Sequence, residues 1–516
     1  MWQKTCGVVS ALLLLVGLVA CATSDDLVGS GQPETGMGTS ESDDSSSEDL
    51  NDWVLSEGGE EIVYSESIKG NRYRPISVQY SNQTAPVSSW STANTRILKY
   101  LSGYDPEVTS YDRYREITNK YGSYTQGEKY ESTGRFRIQK DANGFFWFVD
   151  PDGYPLFMRG VSSFQPGGNS LMYQTLFNGS FESLISFLQP DLAKLGIHST
   201  AAFASGYESG IDAYDKAHSE SPLVQAPSFG FLRGFRKYYG YDYPGGDSAH
   251  EVAMLFYGGW EDYCRWFVRN DAQFKLLIGN KDVFGFFSDN ELKFSQNNTM
   301  LLKSLLGMTD HTDAAYRAAR DFMDERGAST VTSALNDEFA GMVAEMYYRG
   351  IAEAVDEVDS ELLYLGSRLH GTPKYMEHVV KAAGKYCDVI SINYYNRWSP
   401  EKEWLSNWAL WAPQTPFMIT EFYTKSTDGN SCQNTGGAGF MVPGQIDRAY
   451  AYQHFTLGLL ESPNCVGWIW FRLQDDEDNK GIYNVDYVKY PLLEKAMRSI
   501  NYNVYSLRGF LSGISL

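Results

Sequence analysis

Val283-Phe-Gly-Phe-Phe-Ser-Asp-Asn-Glu291 is a short apolar run that breaks into polar residues and ends on a glutamate. It is too short for a helix and shows no alternation, as expected of a strand buried on both faces of a parallel sheet. Phe417-Met-Ile-Thr-Glu421 has the same form. Working outward, further strand candidates are Leu156–Met158, Ser199–Ala204, Ser228–Leu232, Leu362–Leu365, Val389–Asn393 and Val466–Phe471. Between them lie amphipathic, helix-length segments such as Phe181–Leu195, Trp260–Leu277, Glu338–Val358 and Ile446–Leu460. Strands alternating with helices over residues 131–510 predict an α/β fold, a (β/α)8 TIM barrel with insertions. A doubly wound open sheet is the rival, but no GxGxxG or phosphate-loop pattern supports it.

Upstream, Phe136–Ile138 and Phe145–Val149 flank Asn143-Gly144, a strong hairpin signal. Residues 61–130 hold aromatic and short apolar runs without periodicity, and read as a short extension wrapped on the main domain. Residues 21–60 read as an acidic, Ser- and Gly-rich tether that cannot bury enough apolar surface to order itself. From Ala22 to Glu61 there are 12 acidic residues and no Lys or Arg, so over half the net charge of −21 falls there. Such a balance excludes nucleic acid as a partner, since binding it takes a cationic surface.

Residues 1–20 have the form of an export signal, with Lys4 before an apolar run from Val8 to Val19. The run ends in Leu18-Val19-Ala20-Cys21, which resembles the lipobox of bacterial lipoproteins. That resemblance implies acylation of Cys21, a membrane anchor, and an outer-membrane lipoprotein facing the periplasm or the cell surface. Cys264, Cys387, Cys432 and Cys465 then remain; without CxxC spacing they predict no metal site, and either a Cys432–Cys465 disulfide or buried thiols.

The chemistry rests on the two glutamates. Catalytic groups of a barrel sit at the C-terminal ends of its strands. Glu291 leaves the fourth predicted strand and Glu421 the seventh, which face each other across the mouth. Glycoside cleavage needs two carboxyl groups flanking one bond, one carrying a proton for the leaving oxygen and one ionised. Asn290-Glu291 and Glu421 resemble the motifs of clan A glycoside hydrolases, all retaining barrels. The resemblance implies that Glu291 is the acid/base, that Glu421 is the nucleophile, and that Asn290 bonds the sugar 2-hydroxyl.

Within the clan the chain is most similar to agarases of glycoside hydrolase family 50 and its relatives. The similar stretches include Trp147–Pro155, Ser288–Leu292, Tyr364–Gly371, Asp388–Tyr395, Ile419–Tyr423 and Gly467–Phe471. The implied function is retaining hydrolysis of a β-linked galactan, agarose or a related red-algal polysaccharide, without a cofactor. Room is lacking for the large N-terminal carbohydrate-binding-like domain of that family's agarases, which leaves exo or endo action open. The alternatives are another clan A β-glycosidase (β-galactosidase, β-glucanase or β-mannanase) and a non-catalytic glycan-binding surface lipoprotein.

Further substrate-binding candidates sit at strand ends. Trp470, or Trp468 on the same side of the strand, would floor the cleft. Tyr394 or Tyr395 would bond the nucleophile. Arg368 and His370 would meet sugar hydroxyls. Asp475-Asp-Glu-Asp-Asn479 reads as a solvated acidic loop before a Ca²⁺ loop, whose ligand spacing it lacks. Asn434–Gly439 reads as a flexible loop on the active face.

Overall fold

The computed structural model describes residues 49–63 and 72–513, apart from 168, 205, 296–298 and 430–431. The expected signal segment, Cys21 and most of the tether lie outside the described residues. The tether ends earlier than residue 60. Leu50 and Trp53 are already buried, and Trp53 stacks on Tyr450 with ring centroids 5.6 Å apart. Two apolar anchors there are enough to dock a segment that its charge alone would leave in water.

Six strands form one parallel sheet: β1 (Met158–Ser162), β2 (Ser199–Ala201), β3 (Val224–Ala226), β4 (Ile390–Asn393), β5 (Phe417–Glu421) and β6 (Cys465–Trp470). Their order is β3-β2-β1-β6-β5-β4. Of the expected eight strands, 283–287 and 362–365 make no continuous ladder, only isolated parallel bridges. Val283 bridges Gln225, Phe286 bridges Tyr364, and Leu369 bridges Ile392. Gly285 gives a physical reason. Its φ is +144°, and a Cβ there would stand 2.8 Å from the Leu363 carbonyl oxygen. The two runs are pressed together at a residue whose backbone is not that of a strand.

The third strand also falls earlier than expected. Val224–Ala226 pairs with Ser199–Ala201, whereas Phe231 already starts a helix. Pro222 and Pro227 bracket the real strand, and polar Gln225 within it hides the apolar signal; its side chain donates to the Glu208 carbonyl at 3.2 Å.

The helices include α1 (Phe181–Ala193), α2 (Phe231–Tyr239), α3 (Trp260–Asn270), α4 (Ser333–Asp356) and α5 (Gln445–Leu460). Two apolar layers flank the sheet, and a register shift in β6 against β5 puts both Val466 and Ile469 on the inner one. Met158, Val224, Phe284, Leu365, Met418, Val466 and Ile469 pack inside. Phe157, Tyr364, Ile392, Trp468 and Trp470 pack outward against the helices. The hairpin Arg137–Lys140/Phe146–Val149 turns through Asp141–Gly144, and Gly144 takes φ +90°. Its Phe146 and Phe148 join the inner layer, and Phe146 N–H donates to Pro463 just before β6. The hairpin thereby covers the end of the sheet where the strands begin.

Residues 76–101 pack on α5. The antiparallel pair Ile76–Tyr80/Ser91–Thr95 brings Ile76, Val78 and Ile97 against Ala449 and Tyr450. Arg96 N–H donates to His454 Nδ1 at 2.8 Å, and Arg96 pairs with Glu461. All four remaining cysteines are free thiols, which answers the disulfide alternative; Cys264, Cys387 and Cys465 are buried. Among the described residues no helix is long and apolar enough to cross a membrane.

Candidate active site

The C-terminal ends of the strand segments gather the glutamates. Asp289, just before Asn290-Glu291, is fixed from two sides: Tyr347 Oη of α4 donates to it at 2.6 Å and Leu232 N–H at 3.1 Å. Burial pushes its carboxyl up to about 8. Ser288 Oγ lies 2.7 Å from Tyr364 Oη and 2.8 Å from Tyr347 Oη, within hydrogen-bond reach of both. Tyr348, the next residue of α4, bonds Ser367 Oγ at 2.7 Å. One turn of a long helix thus holds the ends of two neighbouring segments. Glu291 and Arg368 leave those ends with φ of +55° and +56°, a left-handed conformation that costs a non-glycine residue about 1 kcal/mol or more. Backbone strain of this kind aims a side chain, and here it aims both toward the same place.

Arg368 joins the two motifs. Its Nη2 bonds Glu421 Oε1 and its Nε donates to Asn290 Oδ1 at 2.8 Å. The guanidinium is fully buried, 5.1 Å from the Phe203 ring centroid and 5.2 Å from that of Phe287. Its Nη1 has no partner among the described residues. Expected to meet sugar hydroxyls, Arg368 is instead locked behind Glu421. Breaking such a buried pair by removing one partner costs about 3–5 kcal/mol.

Tyr395 Oη donates to the other oxygen, Glu421 Oε2, at 2.6 Å. Burial, with Glu421 beside it, holds the Tyr395 phenol well above its usual range, so it stays a neutral donor. Tyr394 points elsewhere: it is buried against Trp408 and Phe455, and its hydroxyl donates to Glu401 at 3.0 Å. Of the two tyrosines, Tyr395 reaches the carboxylate.

Glu291 lies in different surroundings. Its side chain keeps 32% of its exposure, against 7% for Glu421. Asn393 Nδ2 donates to Glu291 Oε1 at 2.8 Å, and Thr420 Oγ1 donates to Asn393 Oδ1 at 2.8 Å. His370 stands 3.8 Å from Glu291, its Nδ1 3.3 Å from the Asn393 carbonyl. Asn393 pairs in register with Glu421 on the adjacent strand. Asn393, bonded to Glu291, thus lies beside Glu421 in the sheet, and Arg368 bonds both Glu421 and Asn290, the chain neighbour of Glu291. Asn290 itself is exposed, with its amide NH2 open to a ligand.

The tryptophans are corrected by the register of β6 on β1, in which Trp468 and Trp470 lie opposite Arg159 and Val161. Trp468 and Trp470 face the outer layer. Trp468 Nε1 donates to Tyr452 Oη at 3.1 Å and Trp470 Nε1 to the Lys480 carbonyl at 3.0 Å. Both are essentially sealed from solvent, so neither floors a cleft at the glutamates. Ile469 faces inward, and the next side chain of that parity is Phe471, which is half-buried. Its ring lies 6.1 Å from Phe203 and 5.6 Å from Tyr423, itself 5.3 Å from Tyr395. Phe203, Phe471 and Asn393 are the site residues that sequence reading missed.

The acidic loop is another correction, because it is not solvated. Asp475 accepts from Gly481 N–H at 2.7 Å and from Tyr490 Oη at 2.5 Å, and Asp478 accepts from Gly436 N–H at 3.2 Å. Asp476 is held by Arg472 at 2.7 Å and Lys480 at 3.1 Å. The carboxylates of Asp475, Asp476 and Asp478 are thus engaged by the protein's own donors, and Glu477 alone of the loop's acids is exposed. Asn434 of the Gly-rich stretch is buried in the same network, donating to the Ser426 carbonyl at 2.9 Å.

No family model and no curated protein matches the chain. Solved structures do. The crystal structure of BpGH50 covers 88% of this chain and 99% of its own, with 45% identity and a TM-score of 0.84. The agarase AgWH50C shares the fold at 17% identity and a TM-score of 0.57, over 78% of this chain and 71% of that one. An exo-β-agarase shares it at 18% identity and a TM-score of 0.59, over 79% and 72%. On the strength of 45% identity along most of its length, this chain is a glycoside hydrolase and belongs to family 50.

Proposed function

We propose that the chain hydrolyses a β-linked galactan, agarose or a close relative, by double displacement with retention at the anomeric carbon. In this reading the six-stranded sheet and the two bridged runs together form a (β/α)8 barrel with the glutamates at its mouth. Glu421 attacks the anomeric carbon while Glu291 gives its proton to the departing glycosidic oxygen. The sugar is then bound to Glu421 as an ester. Glu291, now ionised, takes a proton from water, whose oxygen displaces the carboxylate.

The observation that carries this reading is the contrast between the two carboxyl groups. Glu421 is buried, and both of its oxygens accept from fixed donors, Arg368 and Tyr395. Such a group is oriented for attack. Glu291 is partly exposed, and Asn393 engages its Oε1, which leaves Oε2 as the oxygen to carry and exchange the proton. Asn290, beside the acid, donates its amide to the sugar 2-hydroxyl. Phe471 and Phe203 offer flat faces to the ring, and His370 bonds a hydroxyl on the leaving side. The galactan assignment draws on the agarases among the structures that share the fold. The lipobox-like Leu18–Cys21 keeps the enzyme, in the same reading, an acylated outer-membrane lipoprotein acting on polymer at the periplasmic or cell-surface face.

The test is a substrate panel. The chain from residue 22 onward is incubated with agarose, porphyran, carrageenan, β-glucan and mannan, and products are resolved by chromatography. Oligosaccharides released from agarose or porphyran alone are the expected result. Release from β-glucan or mannan alone would refute the substrate assignment while leaving the chemistry intact.

A further inference from the structure

Residues 76–96 lie outside the parallel sheet, yet they hold the stretches that follow both β4 and β5. Tyr395, which donates to Glu421, stands two residues past the end of β4. The chain turns at Asn396, where φ is +60°, and reaches Trp398. The Trp398 indole stacks on Tyr80, ring centroids 4.9 Å apart, and its Nε1 donates to Thr95 Oγ1 at 3.0 Å. A second brace holds the next residue. His454 Nδ1 accepts from Arg96 N–H, which leaves the ring proton on Nε2 to be donated to Ser399 Oγ. Burial holds that imidazole down to about 3, so it stays neutral. After β5 the same hairpin grips the strand Phe440–Val442: Ser81 and Met441 exchange both of their backbone hydrogen bonds at 2.8 Å. Ala85 N–H donates to the Asn434 carbonyl at 2.9 Å.

We infer that this N-terminal hairpin is a clamp on the active face, and that Trp398 is a positioning residue through which it holds Tyr395 against Glu421. What the clamp does for the reaction rests on the reading of Glu421 as the nucleophile. A tyrosine has two side-chain torsions, so the place of its Oη follows from the backbone that carries it. Upstream, that backbone is fixed by the sheet, where Tyr394 N–H donates to the Glu421 carbonyl at 2.8 Å. Downstream the chain is loop up to Lys402. A cavity lined by Tyr395, Trp398, Phe440, Tyr452 and Phe455 lies between that loop and α5. Packing from beneath is therefore incomplete, and the stacking and hydrogen bonds from residues 80–96 take its place. Edge contacts with Tyr423 and His370, at 5.3 and 5.7 Å, steady the Tyr395 ring itself. A misplacement of about 1 Å at a reacting centre costs about 10²-fold in rate, so a brace this close to the nucleophile's donor acts on kcat.

The test joins crystal structures of variants to a double-mutant cycle. Trp398→Leu and, separately, Tyr80→Leu are expected to carry Tyr395 Oη out of hydrogen-bond reach of Glu421 while the sheet stays in place. On the polymer that the substrate panel selects, each should lower kcat by roughly tenfold with KM little changed. Trp398→Phe, which keeps a ring on Tyr80, should recover most of that loss. In a Tyr395→Phe background neither substitution should lower kcat further, because both act through the same hydroxyl. Thermal melts show that each variant is folded at the assay temperature, and Tyr80→Leu carries the test alone if Trp398→Leu is not. Tyr395 unmoved in the variant structures overturns the inference, whatever the activity. So do losses that add in full to that of Tyr395→Phe, which would be general damage to the fold. Full activity of Glu421→Gly, with Tyr395 displaced in the variant structures, leaves the clamp standing and overturns the nucleophile reading instead.

Discussion

Replacing Glu421 by glycine is expected to lower kcat on the preferred polymer by about 10⁴-fold or more, about 5.5 kcal/mol of barrier. The magnitude follows from removing the attacking group, not from loosening a contact. The variant also leaves Arg368 buried with an uncompensated charge, which costs about 3–5 kcal/mol of stability, so its melting temperature should fall as well. That double effect makes activity loss alone a poor witness. Azide separates the two causes. A small anion that enters the space left by the carboxylate attacks the same face of the anomeric carbon. Activity on an activated aryl glycoside should then return, with a glycosyl azide as product. A variant that is merely misfolded gains nothing from azide.

Replacing Glu291 by alanine is expected to cost about 10²–10⁴-fold on the polymer, within the usual range for general acid catalysis. The loss should depend on the leaving group. A sugar hydroxyl needs a proton to depart, whereas a dinitrophenolate does not. With the aryl glycoside the first step stays fast and the second slows, since water has lost its base, and a burst followed by a slow steady rate should appear. Stability should change little, because Glu291 is partly exposed and, among the described residues, only Asn393 donates to its side chain. An equal loss on polymer and aryl glycoside, with no burst, would remove Glu291 from the acid/base role.

Much of this site could be read from residue order. A carboxylate placed straight after a buried apolar strand is conspicuous, and the strand-end positions of Glu291 and Glu421 followed from that alone. The hairpin was legible for a similar reason, although its loop is longer than a two-residue Asn-Gly turn and takes a positive φ at Gly144 and not at Asn143. Arg368 was legible only as a polar residue on the active face. Its partner lies 53 positions away in the chain, and no local spacing reveals that the guanidinium turns inward to Glu421. The error over Trp468 and Trp470 has a different cause. β6 is buried on both faces, so hydrophobicity does not distinguish its inner from its outer side chains. Only pairing with β1 fixes the parity, which turns both indoles outward and leaves Phe471 at the site. The acidic loop at 475–479 was misread because its neutralising donors, Arg472, Lys480 and Tyr490, are supplied by the folded chain.

Double displacement makes one demand that no single inversion meets. Proton NMR of a β-linked substrate during the first minutes of hydrolysis follows the anomeric signal of the newly formed reducing end, before mutarotation mixes the forms. Appearance of the β anomer first, with the α anomer growing only later, is the result that Glu421 as a covalent nucleophile predicts. Appearance of the α anomer first would mean that water attacks the sugar directly, and would contradict it.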